Sequence, residues 1–333
     1  MKKIITMLLV ISTLMFTGCG KQAEVIEQTE APKVEETEIV EKEPEKAPDG
    51  RTVAVMIDND DERARPQAGL ESAKIVYEII VEGGSTRFLA LFDDYKIEKV
   101  GPVRSARHYF LDYALEHDAI YCHSGWSPQA QRDIPALGVK NINGILGEDG
   151  KAYYRDRTYD NSWHNLYTSL PRLTDMAKKK GYSLDLKNKH FSYSEDEYVP
   201  GGEACETVVI PYSNLYKVKY VYDKEKKVYK RYVNNKEHIS QINGILTAKN
   251  IIVYKVSNYE LNDGENKGRQ EISNIGQGKG YYISNGQAVE INWSKSSRGA
   301  KTIYTTTDGK ELLLNKGNTY IQIMPKSYNI TIE

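Results

Sequence analysis

The sequence predicts an α+β fold: a mixed α/β domain over residues 51–200, then a smaller, mostly β domain over 201–333. Three observations carry this prediction. The length, 333 residues, suits two average domains. Residues 51–200 mix apolar strand-like runs with helical spacing, without strict alternation of the two. Beyond Pro200-Gly201-Gly202, a hinge-like break, alternating strand signals and strong turn dipeptides take over.

Each element follows from local pattern. Thr52–Asp58 (TVAVMID) is an apolar run of buried-strand type. Lys74–Glu82 and Thr86–Phe92 flank Gly83-Gly84-Ser85, which predicts a hairpin. Glu98–Val103 suggests a fourth strand, with a helix from Ala106 to about His117 capped by Ser105. Its residues Phe110, Tyr113, Ala114 and His117 recur at helical spacing on one face. Ala119–His123 reads as a short strand, and Pro128–Leu137 as a helix with proline in its first turn. Thr168–Lys180 is a further helix, stopped by Gly181. In the second region, strands are predicted at Thr207–Tyr212, Tyr216–Tyr222, Val228–Val233 and Asn250–Val256. Four more follow at Gly280–Ser284, Val289–Trp293, Thr302–Thr306 and Tyr320–Met324, with hairpin turns at Asn285-Gly286 and Asp308-Gly309. The pentapeptide INGIL occurs at Ile142–Leu146 and Ile242–Leu246, but the flanks differ, so it reads as coincidence and not as a repeat.

The net charge of −1 conceals unlike pieces. Residues 1–18 carry Lys2-Lys3, then the apolar run Ile4–Phe16, the pattern of a signal peptide too short to span a bilayer. Its exit, Phe16-Thr17-Gly18-Cys19-Gly20, resembles the lipobox of bacterial lipoproteins, with Phe16 in place of the usual Leu. That resemblance implies diacylation of Cys19, and two acyl chains suffice for stable anchoring. Residues 19–50 are an acidic tether, with ten acids, four lysines and no aromatic residue. Such a composition does not offset the entropy of ordering. The body, 51–333, has 39 bases and 36 acids, which excludes a strongly basic nucleic-acid binder.

Within that body the cations are unevenly distributed. Residues 51–172 hold ten Arg and five Lys, whereas 173–333 hold three Arg and twenty-one Lys. The first domain therefore favours guanidinium, which grips carboxylate or phosphate in a bidentate fork. Two uses compete: a bound anion, or internal pairing with acids such as Glu78 and Glu82, expected on one strand face. At Gly101–His108, Arg107 and His108 fall in the first helical turn, where the helix dipole disfavours cations. A negative group is expected beside them, either a ligand or one of those glutamates.

Standard chemistries find little support. Cys122 and His123 are adjacent and on a strand face opposite ways, so they are poor zinc ligands, and no metal or cofactor is expected. No G-x-S-x-G elbow is present. Glu78 and Glu82 on one strand stand roughly 13 Å apart, too far for either glycosidase geometry. Cys122 and Cys205 are open to pairing in an oxidising compartment, with a buried free thiol the favoured alternative.

Several longer runs resemble the YerB-like family of bacterial lipoproteins. In the first domain these are Val53–Asp60, Arg65–Leu70, Ile75–Phe92, Val100–Ala114, Ala119–Gln131 and Tyr154–Ser169. Gly278–Trp293 and Lys316–Pro325 echo the family's C-terminal domain. Ser162-Trp163 and Tyr320 depart from its pattern. The resemblance implies a two-domain, membrane-anchored envelope protein, and no activity, since the family's function is unknown. Its polar motif positions here are Asp58, Asn59, Arg65, Glu78, Glu82, Arg87, Arg104, Arg107, His123, His164 and Asn165, and His108 stands beside them. Converging, they would form an Arg/His-rich cleft.

The expectation is thus an extracytoplasmic lipoprotein, held to membrane lipid through acylated Cys19, that binds an anionic cell-wall polymer or an envelope protein. The alternative is an envelope phosphotransferase or hydrolase acting on phosphorylated or glycan wall polymers. It is supported only by a likeness of element order to LytR-CpsA-Psr phosphotransferases.

Overall fold

A computed structural model describes residues 50–185 and 191–333. The signal peptide, Cys19 and the acidic tether lie outside the described residues. Strands outnumber helices, and the sheets mix parallel and antiparallel pairs.

The first strand, β1 (Val53–Asn59), is buried at every position, and so are β2 (Ile75–Ile80) and β3 (Thr86–Phe92). Burial on both faces explains why their sequences read as continuous apolar runs and not as alternation. β2 and β3 form the expected hairpin, and β3 pairs antiparallel with β1. Next come α1 (His108–Glu116), β4 (Ile120–His123), α2 (Pro128–Ala136) and β5 (Asn141–Asn143). β4 lies parallel to β1, and β5 parallel to β4. The helix α3 (Leu170–Lys179) is capped by the Ser169 hydroxyl, as α2 is by Ser127.

Beyond residue 200, β6 (Thr207–Pro211), β7 (Lys217–Asp223) and β8 (Val228–Val233) form the body of a second sheet. β9 (Asn250–Val256), β10 (Gly276–Ser284), β11 (Gln287–Lys295), β12 (Ile303–Thr306) and β13 (Thr319–Pro325) join the first. That sheet has eleven strands in the order β12-β11-β10-β9-β13-β2-β3-β1-β4-β5, with the two-residue strand Glu203–Ala204 on β11. β13 pairs parallel with both β9 and β2, so strands from either side of Pro200–Gly202 share one ladder.

The layers can be read from two neighbouring side chains. On β2, Tyr77 points to α1, stacking on Tyr113 at 4.6 Å and donating to Glu116 Oε1 at 2.7 Å. Glu78 points the opposite way, to Arg231 on β8. The large sheet is therefore sandwiched between helix and second sheet around these positions.

Two expected elements are corrected. Glu98–Val103 is not a strand: Val100, Gly101 and Val103 make only isolated bridges, to Thr168, Ala68 and Ile57. The helix begins two residues late, at His108, with Arg107 as an N-cap that supplies no side-chain bond. Ala106 is held extended by a bridge to Trp126, and the Ser105 carbonyl accepts from Arg87, so Ser105 is not the cap.

Candidate functional site

β1 ends in Asp58-Asn59, with Asp60 next in the chain, and alternation sends the aspartates to one face and Asn59 to the other. On the aspartate face, Asp58 Oδ2 accepts from His164 Nδ1 at 2.7 Å and lies 2.9 Å from Arg104 Nε. Asp60 accepts from Arg104 Nη2 at 2.7 Å and from Arg87 Nε and Nη2, both at 3.2 Å. Burial opposes ionisation of Asp60, but Arg87 and Arg104 outweigh it and hold the carboxyl well below its usual range. Arg107 completes the row, gripping Glu82 through Nε at 2.6 Å and Nη2 at 3.0 Å. Three guanidiniums thus meet three carboxylates, and the cluster neutralises itself.

The negative groups required at the helix start are both protein side chains. Glu82 serves Arg107, and Glu271 accepts from His108 Nε2 at 3.0 Å. The expected shared face of Glu78 and Glu82 is corrected. Glu82 lies past the end of β2 in a turn where Gly83 and Gly84 adopt positive φ, and its carboxylate turns to Arg107.

His164 sits beneath an exposed indole. Trp163 Nε1 donates to His164 Nε2 at 2.7 Å, so the ring proton resides on Nδ1 and is given to Asp58. Trp163 itself is 59% exposed. Asn165 accepts from Arg155 and donates to the carbonyls of Asp160 and Ser162, which shapes the loop that presents His164.

The opposite face of the sheet carries a second, fully buried network. Arg231 Nη2 binds both oxygens of Glu78, at 3.1 and 2.9 Å, and both side chains are 0% exposed. Thr86 Oγ1 and Tyr216 OH donate to Glu78 at 2.7 and 2.9 Å. Arg231 also donates to Tyr220 OH and to His238 Nδ1, both at 3.0 Å, and His238 passes the chain to Gln67. Burial, then Arg231 and Arg65, keep His238 neutral. Asn59 and Arg65 belong to this side: Arg65 Nη1 donates to Asn59 Oδ1 at 2.8 Å.

The twelve sequence-predicted residues therefore divide. Asp58, Glu82, Arg87, Arg104, Arg107 and His164 meet in one row of ion pairs. Asn59, Arg65 and Glu78 join the buried network, and Asn165 shapes the loop that presents His164. His108 and His123 stand apart from the row, so the expected imidazole-rich cleft is not assembled. His123 bonds the Gly125 carbonyl at 2.8 Å and Asn141 at 3.3 Å, and burial pushes its pKa down to about 4. Sequence reasoning missed Asp60 and Arg231. The two-residue step from Asp58 and the rarity of arginine beyond residue 172 are the signals that could have found them. Among the described residues no group of three or more His, Cys, Asp or Glu is placed to hold a metal. Cys122 and Cys205 are buried free thiols.

Arg65 differs from the other arginines of the set. Its bonds go only to the Asn59 side-chain and main-chain oxygens, and among the described residues it has no carboxylate partner. It lines a groove of about 310 Å³ with Glu62, Pro66, Val233, Lys236, Glu237 and Ile239.

Comparison with known proteins agrees with this architecture. Residues 37–183 match the N-terminal domain, and residues 208–321 the C-terminal domain, of a protein family of unknown function, DUF3048. The YerB protein of Bacillus subtilis (strain 168), named as a candidate lipoprotein, is 34% identical over 287 residues, 84% of this chain and 83% of that protein. The crystal structure of Bacillus subtilis YerB superposes with a TM-score of 0.74 at 31% identity, covering 85% of this chain and 94% of the other. With both domain models matched in order and the fold shared along most of its length, the chain belongs to the DUF3048, YerB-like family.

Proposed function

We propose that this protein is a membrane-anchored, extracytoplasmic lipoprotein, held through acylated Cys19, that binds an anionic cell-envelope ligand without transforming it. The lipoprotein name of its Bacillus relative supports the anchoring. One observation carries the binding: Arg65 is a half-buried guanidinium with no carboxylate hydrogen-bonded to it among the described residues, in a groove of mixed lining that also holds Lys236, Glu62 and Glu237. Arg87, Arg104 and Arg107 are already paired, so a ligand on them would have to displace a protein carboxylate. Poly(glycerol phosphate) and carboxylate-bearing wall peptides are the probes. Thermal stabilisation by either, lost in Arg65→Ala and partly kept in Arg65→Lys, is expected. Absence of stabilisation, or an equal effect on Arg65→Ala, refutes the reading.

A second reading, an envelope hydrolase or phosphotransferase, is favoured by one observation. Asp58 orients His164 as in a base-activating pair, with Nε2 accepting from the indole of Trp163 and 3.8 Å from Asp61 Oδ2. It requires release of phosphate or sugar from wall polymers that His164→Asn abolishes.

A further inference from the structure

A larger cleft, of about 460 Å³, opens on the other side of the α1 N-terminus from the arginine row, between α1, α2 and residues 271–275. Its floor is a closed arrangement. Arg298 donates to Asp112 and Asp133, each at 2.6 Å, and to the His108 carbonyl at 2.9 Å. Asp112, 2% exposed, is further held by Asn274 at 2.9 Å. These groups are satisfied and fix the shape of the site.

The walls are not satisfied in the same way. Glu271 gives one oxygen, Oε2, to His108, while Oε1 has no side-chain partner among the described residues. Arg132, also in the wall, is exposed and has no ion pair among the described residues. The cleft therefore offers one unused carboxylate oxygen and one unused guanidinium.

From this we infer that the cleft binds a small zwitterion, a short peptide or amino acid whose primary ammonium meets Glu271 and whose carboxylate meets Arg132. The volume suits one or two amino-acid residues. This site is separate from the Arg65 groove and does not depend on that reading. Charge-assisted hydrogen bonds of this kind contribute enough for a tenfold or larger change in affinity.

The test is calorimetric titration of the full-length acylated protein in detergent with L-lysyl-D-alanine, L-norleucyl-D-alanine and cadaverine. Saturable binding of the two dipeptides is expected. Glu271→Gln should weaken it about tenfold or more. Arg132→Gln should weaken the dipeptides but not cadaverine, which lacks a carboxylate. Both positions are solvent-accessible, so these variants retain the fold, checked by circular dichroism. Arg65→Ala should leave the titration unchanged. No saturable binding of either dipeptide at millimolar concentration, or wild-type affinity in both Glu271→Gln and Arg132→Gln, overturns the inference.

Discussion

Breaking the Glu78–Arg231 pair tests whether the two sheets are held by a buried charge network. Both side chains are 0% exposed and meet at 2.9 Å. Arg231→Met leaves Glu78 in the core without its guanidinium, still facing Thr86 and Tyr216, and strips the donors from Tyr220 and His238. Removing one member of a buried pair costs about 3–5 kcal/mol. Glu78→Gln should cost a similar amount, because it leaves the guanidinium uncompensated. The double variant carries no buried charge and should cost far less than the sum, so the cycle should return a coupling of about 3 kcal/mol. Urea unfolding followed by circular dichroism measures each free energy. For a body of this size each single change should lower Tm by roughly 8–16 °C. Single losses under about 1 kcal/mol, or additive ones, would refute the argument that this pair ties the layers together.

Other outcomes follow from the same structure. Because burial lowers the pKa of His123 to about 4, against about 6.5 unfolded, the unfolded chain binds the extra proton between those values. Its contribution, about 3 kcal/mol, is present above pH 6.5 and lost as pH falls toward 4; pH-dependent urea unfolding should show His123→Asn flattening that slope. The Cys122 and Cys205 thiols, both buried and pushed up by burial, the latter to about 11, should react with Ellman's reagent only on denaturation. Two equivalents should then appear without prior reduction. Ser127→Ala removes the hydroxyl that accepts from Ala130 N–H at the start of α2 and should cost about 1 kcal/mol, read as a drop in Tm of roughly 2–4 °C.

What the sequence made legible was what local pattern encodes. The hairpin of Ile75–Ile80 and Thr86–Phe92, the Pro128 helix and the eight β segments beyond residue 200 all appear near their expected places. The segment around Pro102 was misread because its apolar residues do not lie in a ladder; they fill gaps between Thr168, Ala68 and Ile57. The candidate residues were legible as types and illegible as partners. Arg231 reaches Glu78 across 153 positions, and Arg298 reaches Asp112 across 186, separations at which no periodicity operates. The arginine excess of residues 51–172 was a true signal with a mixed meaning. Several of its members are matched by nearby acids, whereas Arg65 and Arg132 have no carboxylate partner in an ion pair among the described residues.

The strand Thr319–Pro325 lies between Ile75–Ile80 and Asn250–Val256, parallel to both. A chain appearing N-terminus first makes its opening hairpin early, yet one edge of that hairpin waits for almost everything else to arrive. During this interval an apolar strand edge is open to pairing with other molecules. Such distant closure makes folding slow. The late strand is therefore a timing device by position alone: whatever shields the chain before completion, a chaperone or a translocation channel, must act until residue 325 is free.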